Sequence, residues 1–410
     1  MGAPELDVAA VRAMFPALGL SVHGRPLAYL DSASTTQKPK VVLDALVRGY
    51  ETACANVHRG VHALSVAATE GYEGARANVA RFLGGSPDEV VFTRGTTEAI
   101  NLVAESYGRA HVRAGDRVLV SGLEHHSNLV PWFRLCQAVG AHLDVLPIDE
   151  AGALELERLD ARLTPRTRVV AVSHVSNALG TVAPVAEIAA RARAAGAVTV
   201  VDGAQAAPHL PLDVRKLGCD FYAFSGHKAY APTGVGALWG RAELLDAMPP
   251  WQGGGEMIAS VAFDAITYAD PPHRFEAGTP DIFGAMALGA ALEWLSGLDR
   301  AAVARHEAAL LAHAEGLLDA LPGVRRVGRA PERAAVLSFV VEGLHPHDVG
   351  TILDLEGVAV RTGHHCAEPA MTRLGLEGGT VRASFAPYNT FEEVERMVQG
   401  VLRAQEVLTR

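Results

Sequence analysis

A lysine placed straight after an apolar run is unusual, because its ammonium must leave water, and Phe224-Ser225-Gly226-His227-Lys228 sets one there. A desolvated lysine amine can form a Schiff base with an aldehyde; the plainer alternative is a solvated loop lysine. Upstream, Val200-Val201-Asp202-Gly203-Ala204-Gln205 puts a carboxylate at the end of another apolar run. That charge is costly unless a cation such as a protonated pyridine nitrogen lies beside it, and the competing reading is a helix N-cap. In Phe92-Thr93-Arg94-Gly95-Thr96-Thr97-Glu98 a strand ends, Gly95 permits a turn and a helix begins at Thr96 or Thr97. Free N–H groups and hydroxyls at a helix start suit a phosphate, although an ordinary threonine cap with Glu98 in the first turn reads equally from this segment alone. Jointly, a phosphate grip, a pyridinium partner and an aldehyde-binding lysine are what pyridoxal phosphate requires.

The second chemical cluster is Arg361-Thr362-Gly363-His364-His365-Cys366-Ala367-Glu368-Pro369. Gly363 and Pro369 bracket a polar loop that offers one cysteine among basic residues, which favour a nucleophilic thiolate. Glu368 opposes this and predicts slower reaction at the sulfur. Arg382, in Val381-Arg382-Ala383-Ser384, could clamp a carboxylate through paired hydrogen bonds or make a surface ion pair. In Glu124-His125-His126 the neighbouring imidazoles point apart and do not make a metal site, whereas one flat ring suits stacking on a pyridine. His58 and Arg59 form a further polar group in a loop, and no metal is expected.

Strand-length apolar runs position these groups: Glu89 to Thr93, Arg117 to Ser121, Val169 to His174, Val198 to Val201 and Phe221 to Phe224. Helical stretches separate them, such as Val185 to Ala195 between Pro184 and Gly196. This alternation predicts an α/β fold with a mostly parallel central sheet flanked by helices, and ligands bind such sheets beyond the carboxyl ends of the strands. From residue 296 the pattern changes to a helix, the runs Val336 to Val341 and Val358 to Thr362, and a last helix from Phe391, which reads as a smaller α+β domain. The expected organisation is an N-terminal segment, 1–24, packing with the small domain, then a large domain, 25–295, and a small one, 296–410.

Composition narrows the function classes. The 410 residues are 49% hydrophobic and carry a formal net charge of -10, which argues against nucleic acid or an anionic membrane as partner. No apolar run approaches the roughly 20 residues of a membrane helix. Residues 1–20 lack a signal-peptide pattern, and Leu6 stands where a Met1-Gly2 myristoylation site would need Ser or Thr. A cytoplasmic protein is expected. The 4 cysteines are too irregularly spaced for a disulfide framework or a C-x-x-C motif.

These segments, with Asn56-Val57-His58-Arg59-Gly60, Ser176-Asn177-Ala178-Leu179-Gly180-Thr181, Gly253-Gly254-Gly255-Glu256-Met257-Ile258 and Phe275-Glu276-Ala277-Gly278-Thr279-Pro280, resemble the group II cysteine desulfurases of the SufS type, within the class V aminotransferase superfamily. The resemblance implies a pyridoxal-phosphate-dependent transferase of fold type I and a homodimer. It implies that Lys228 carries the cofactor, that Asp202 pairs with its ring nitrogen, that His125 stacks on the ring and that Gln205 contacts the phenolic oxygen. Thr96, Thr97, Ser225 and His227 would hold the phosphate, with Thr279 reaching it from the other subunit. Asn177 and Arg382 would bind the carboxylate of L-cysteine, with Arg361, His58 and Arg59 also on the substrate side. Cys366 would take the sulfur as a persulfide, leaving alanine, for a SufE-like or SufU-like acceptor in iron–sulfur cluster assembly or related sulfur transfer. Selenocysteine lyase shares the fold and the cysteine loop, kynureninase needs no such cysteine, and a non-catalytic sulfur-carrier scaffold would not need Lys228. Three positions depart from the family pattern: Ser34 stands for Ala, Glu368 for a neutral residue, and Ala231 for a Gly, a costly exchange if that backbone needs positive φ.

Overall fold

The computed structural model describes residues 5–409; Met1-Gly2, weighed above for acylation, lies outside them. The apolar runs become strands because β-branched and aromatic side chains fit a pleated surface. In chain order these are β1 (Val90–Thr93), β2 (Arg117–Ser121), β3 (His142–Leu146), β4 (Thr167–Ser173), β5 (Val198–Asp202), β6 (Phe221–Ser225) and β7 (Gly236–Gly240). They form one seven-stranded sheet in the order β1-β7-β6-β5-β4-β2-β3. All pairings are parallel except those of β7, which runs antiparallel to both neighbours.

Side chains alternate across this sheet and both faces are buried, as a helix-covered parallel sheet requires. Leu119, Val170, Val172, Val201, Tyr222 and Phe224 enter the core on one face. Val118, Val120, Val169, Ala171, Val200 and Phe221 enter the core on the other. Helix Ile282–Ser296 is buried almost all round against helices Lys40–Thr52 and Ala63–Leu83. Its Gly289 lies so close to Ala75 that a Cβ would come 2.9 Å from the Ala75 Cα. Among the described residues no single helix is long and apolar enough to cross a membrane.

The C-terminal part builds an antiparallel sheet from β8 (Val324–Val327), β9 (Val336–Val341), β10 (Arg361–Gly363) and β11 (Thr380–Ser384), in the order β8-β9-β11-β10. Helices Arg300–Asp319 and Phe391–Leu408 pack with it around Leu310, Phe339, Leu353 and Met397.

Several elements differ from the sequence expectation. The run Val358 to Thr362 is not one strand: Val358–Ala359 pairs in parallel with Ala28–Tyr29, and Arg361 begins β10. Ala28 and Leu30 therefore lie in the small-sheet core, on the C-terminal side of the boundary drawn at residue 25. Glu89 precedes β1 in a short 3₁₀ turn closed by a Ser86–Glu89 capping box. Strands β3 and β7 and the hairpin Ile258–Val261/Ile266–Tyr268 were not anticipated. Strand β7 is bracketed by Gly236 and Gly240, which read as turn residues. The N-terminal segment packs on the small part, where Arg12 pairs with Glu393 at 2.8 Å and Phe15 meets Tyr388, and it also reaches the large part, where Phe15 sits against Tyr230 and Trp294.

Gly236 locks β7 against the loop that follows β1. A Cβ there would meet the Phe224 carbonyl oxygen at 2.5 Å and the Gly95 Cα at 2.6 Å, both backbone atoms that cannot swing aside. Gly236→Ala is therefore expected to lower stability by about 1–3 kcal/mol, read by urea unfolding; an unchanged midpoint would show that the loop shifts freely.

Candidate active site

The carboxyl ends of β1, β2, β4, β5 and β6 open on one side, as their common direction dictates. They line a cleft of about 180 Å³ with Lys228 and Asp202 among its walls. Strand β6 is buried throughout, and Gly226–Lys228 makes one 3₁₀ turn that delivers Lys228 to the cleft. Burial pushes the Lys228 ammonium down to about 8; Arg382 and Arg361 act in the same direction and Asp202 opposes them. Asp202 ends β5, is 6% exposed, and accepts a hydrogen bond from the Ala204 N–H at 2.9 Å. Burial raises its carboxyl, and the Lys228 charge counters that rise.

Across the cleft, helix Thr96–Val103 begins after Gly95, whose φ of 148° lies outside the usual range of other residues. The Thr96 N–H donates to Ser225 Oγ at 2.9 Å, the Thr96 and Ser225 hydroxyls are 2.8 Å apart, and the Thr97 hydroxyl meets Ser127 Oγ at 2.6 Å. His125 Nδ1 accepts from the Ser127 N–H at 3.0 Å, which leaves the ring proton on Nε2. Burial, then Lys228 and His126, push His125 down to about 3, so the ring is neutral. His227 is pushed down to about 4 by burial, Lys228 and Lys38, and meets an anion as a neutral donor. Glu124, weighed as a metal ligand beside the histidines, instead ties strand ends together. It accepts from the Ser173 N–H (2.9 Å), Ser173 Oγ (2.7 Å) and Asn128 Nδ2 (2.6 Å), and burial raises its carboxyl to about 7.

The small sheet supplies the remaining wall. Arg361 on β10 and Arg382 on β11 stand opposite one another. Arg382 is buried; its Nη1 donates to the Asn177 carbonyl (2.8 Å) and its Nη2 to Asp31 Oδ1 (3.0 Å) and Ser34 Oγ (2.7 Å), while Nε has no protein partner. Arg361 Nη2 lies 3.6 Å from Cys366 Sγ. His365 and Cys366 both take positive φ, 55° and 57°, and the loop is fastened to the large sheet at two carbonyls. Asn177 Nδ2 donates to His365 O at 2.6 Å, and the His126 N–H donates to Cys366 O at 2.7 Å. Asn177 thus gives one of its two amide hydrogens to the cysteine loop and lines the cleft with the rest of the group. The loop is less basic than its composition suggests: burial, with Arg382 and Arg361, pushes His365 down to about 2, so the cation beside the sulfur is Arg361.

Not every residue singled out from the sequence reaches this cleft. Thr279 lines a different cavity, of about 500 Å³, with Phe92, Trp251 and Glu276, which holds neither Lys228 nor Asp202. His58 and Arg59 also lie outside the cleft of their own chain, because acidic neighbours hold them: His58 Nε2 meets Glu73 Oε1 at 2.9 Å, and Arg59 Nε meets Glu256 Oε1 at 3.3 Å. His58, Glu73 and His273 come close enough to hold a metal ion, but Arg76 already supplies a cation to Glu73 at 2.8 Å. The positive φ expected at position 231 falls on Tyr230 (66°), so Ala231 carries no strain. Glu368 opens a short helix at the exposed surface, in a groove with His126 and Arg373, where water screens its charge. The cleft is also lined by Ser34, Ser127, Ser173, Val175 and His365, to which the sequence assigns no role, whereas Cys366 is not among its lining residues.

The cleft fits pyridoxal phosphate on its own chemistry. It has a helix start with hydroxyls for the phosphate, a buried acid for the pyridinium, and a desolvated amine for the aldehyde. Gln205 donates through Nε2 to the Ala33 carbonyl at 2.6 Å while its buried Oε1 finds no protein partner.

Two expectations follow. Aldehyde capture needs the unprotonated amine, so cofactor uptake at Lys228 by the apoprotein should climb as pH rises through about 8; a climb centred near the free-lysine value of about 10 would contradict the desolvation. Because Glu368 is exposed, Glu368→Gln should change the rate of Cys366 modification by cysteine less than about twofold, read by mass spectrometry; a larger change would return the carboxylate to the reaction.

The aminotransferase class-V family matches residues 28–397. The chain is 52% identical over 98% of its length to a probable cysteine desulfurase of Mycolicibacterium paratuberculosis, and 49% identical over 98% to a cysteine desulfurase of Synechococcus elongatus. It spans only 58% and 64% of the lengths of those two proteins. A cysteine desulfurase of Enterobacter sp., 50% identical, is covered completely. Among solved structures, the Escherichia coli cysteine desulfurase CsdA superposes with a TM-score of 0.92 at 42% identity, over 98% of this chain and 100% of that one. A Thermococcus onnurineus cysteine desulfurase superposes at 0.93 with 41% identity, over the whole of both chains. With the family match spanning most of its length and the strand-end cleft in place, the chain belongs to the class V aminotransferases.

Proposed function

We propose that the protein is a pyridoxal-phosphate-dependent cysteine desulfurase of the SufS type, converting L-cysteine to L-alanine and leaving the sulfur on Cys366. The observation that carries this reading is that Lys228 and Arg382 line one cleft with Arg361 and His365, the neighbours of Cys366, and that Arg361 lies 3.6 Å from the sulfur. The identity of about 50% to cysteine desulfurases supports it.

When bound, pyridoxal phosphate withdraws electrons from the amino acid attached to it and so weakens the bond to the α proton. Thr96, Thr97, Ser225 and His227 would hold its phosphate at the helix start, and Asp202 would face its ring nitrogen, whose positive charge favours the carboxylate. His125, neutral, would offer a flat face to the ring, and Gln205 Oε1, which has no protein partner, would be free to accept a donor there. Lys228 would anchor the group, and its amine is the base placed to carry the proton from the substrate Cα. Asn177 and Arg382 orient the carboxylate. Cys366 thiolate, favoured by the Arg361 charge, attacks the substrate sulfur. A new S–S bond forms, the Cβ–S bond breaks with its electron pair left on the carbon skeleton, and that skeleton takes up protons and leaves as alanine.

A homodimer belongs to this reading, with a second copy bringing Thr279 toward the cleft. The hairpin Ile258–Val261/Ile266–Tyr268 supports it, because Val261, Phe263, Ile266 and Tyr268 are exposed apolar side chains that a second copy would cover. The sulfur acceptor is a SufE-like or SufU-like protein, and the setting is cytoplasmic.

The test is mass spectrometry of the holoenzyme after L-cysteine. A gain of one sulfur on Cys366, absent from Cys366→Ala and Lys228→Ala, is expected, together with alanine release. Sulfur-free Cys366 would overturn the reading, and persulfide-free alanine release from selenocysteine alone would replace it with a selenocysteine lyase.

A further inference from the structure

Arg361 and Arg382 occupy directly opposed positions on adjacent antiparallel strands. Like charges so placed repel, and burial of Arg382 strengthens the repulsion by keeping water out. The side chain between them is Ser34. Its hydroxyl donates to Asp31 Oδ1 at 2.6 Å and accepts from Arg382 Nη2 at 2.7 Å and Arg361 Nη1 at 3.1 Å. One proton and two lone pairs are all a hydroxyl has, so every hydrogen-bonding valence of Ser34 is used. The Asp31 carboxylate, which also accepts from Arg382 at 3.0 Å, polarises that hydroxyl and makes its oxygen a better acceptor.

The two arginines differ in what else holds them. Arg382 keeps Asp31 and the Asn177 carbonyl if Ser34 is lost. Arg361 is only half-buried, and its other polar contact is the weak one to Cys366 Sγ. An alanine at position 34 would leave Arg361 facing a like charge with no oxygen between them.

We propose that Ser34 is a positioning residue: it yokes Arg361 to Arg382, making one two-guanidinium seat for the substrate carboxylate and keeping Arg361 beside the Cys366 sulfur. The inference rests on the amino-acid-binding reading above. Ser34 does not react; it sets where two cations stand.

The test uses the holoenzyme and two probes, L-alanine and ethylamine, which is alanine without its carboxylate. Calorimetry should show L-alanine bound about tenfold more weakly by Ser34→Ala, the scale of one lost charge-assisted hydrogen bond. Ser34→Thr, which keeps the hydroxyl, should lie within about twofold of the parent, and ethylamine should bind all three alike. A crystal structure of Ser34→Ala should find the Arg361 guanidinium away from Cys366 Sγ, a readout that a general loss of stability would not produce. Unchanged alanine affinity in Ser34→Ala, an equal weakening of both probes, or an unmoved Arg361 would each overturn the proposal. Alanine binding asks nothing of sulfur transfer. A protein that forms no persulfide yet shows this pattern loses the desulfurase reading and keeps this one, and the reverse result separates them the other way.

Discussion

Taking the Lys228 amine out of water costs free energy that only a neutral form or a nearby anion can offset. The buried β6 strand enforces that desolvation, and the parallel sheet places Asp202, at the end of the adjacent β5, as the anion. A cofactor with an aldehyde and a basic ring nitrogen satisfies both groups at once: the amine becomes a covalent link and the carboxylate gains a cation. The other strand-end groups then follow from direction alone, because strands that run the same way deliver their last residues to the same side.

The second sheet contributes what the first cannot, a pair of guanidiniums and a sulfur. Short main-chain links, Ala28–Tyr29 to Val358–Ala359 and Asp31 to Ser384, tie the segment 28–31 to this C-terminal part. Asp31 therefore lies on a segment that is paired with the small sheet, while its side chain serves a cleft walled mostly by the large one. The site is a seam, and its geometry depends on how firmly that seam is stitched.

Lys228 and Asp202 were legible in the sequence because a charged residue at the end of an apolar run has few inexpensive explanations. The Cys366 loop was legible as a reactive segment, but the source of its positive charge was not. Burial holds His365 neutral, and burial is a property of the packed molecule rather than of Gly363-His364-His365. Ser34 was visible only as an unusual residue; its three partners come from segments more than three hundred positions away in two cases. His58 and Arg59 carried a loop-like pattern that gave no hint of Glu73 and Glu256. Strand β7 was hidden because its glycines resemble turns until the close approach of Phe224 and Gly95 gives them a reason.

The Cys366 loop is pinned at the carbonyls of His365 and Cys366 to side-chain and main-chain donors of the large sheet. Swinging it outward would break both bonds, at about 0.5–1.5 kcal/mol net apiece. Such a loop is a fixed berth rather than a travelling arm. If Cys366 is loaded as proposed, its cargo would have to be collected by a visitor that reaches in to it, and the shape of that visitor's own reactive segment, more than any motion of this chain, would govern how quickly the cargo leaves.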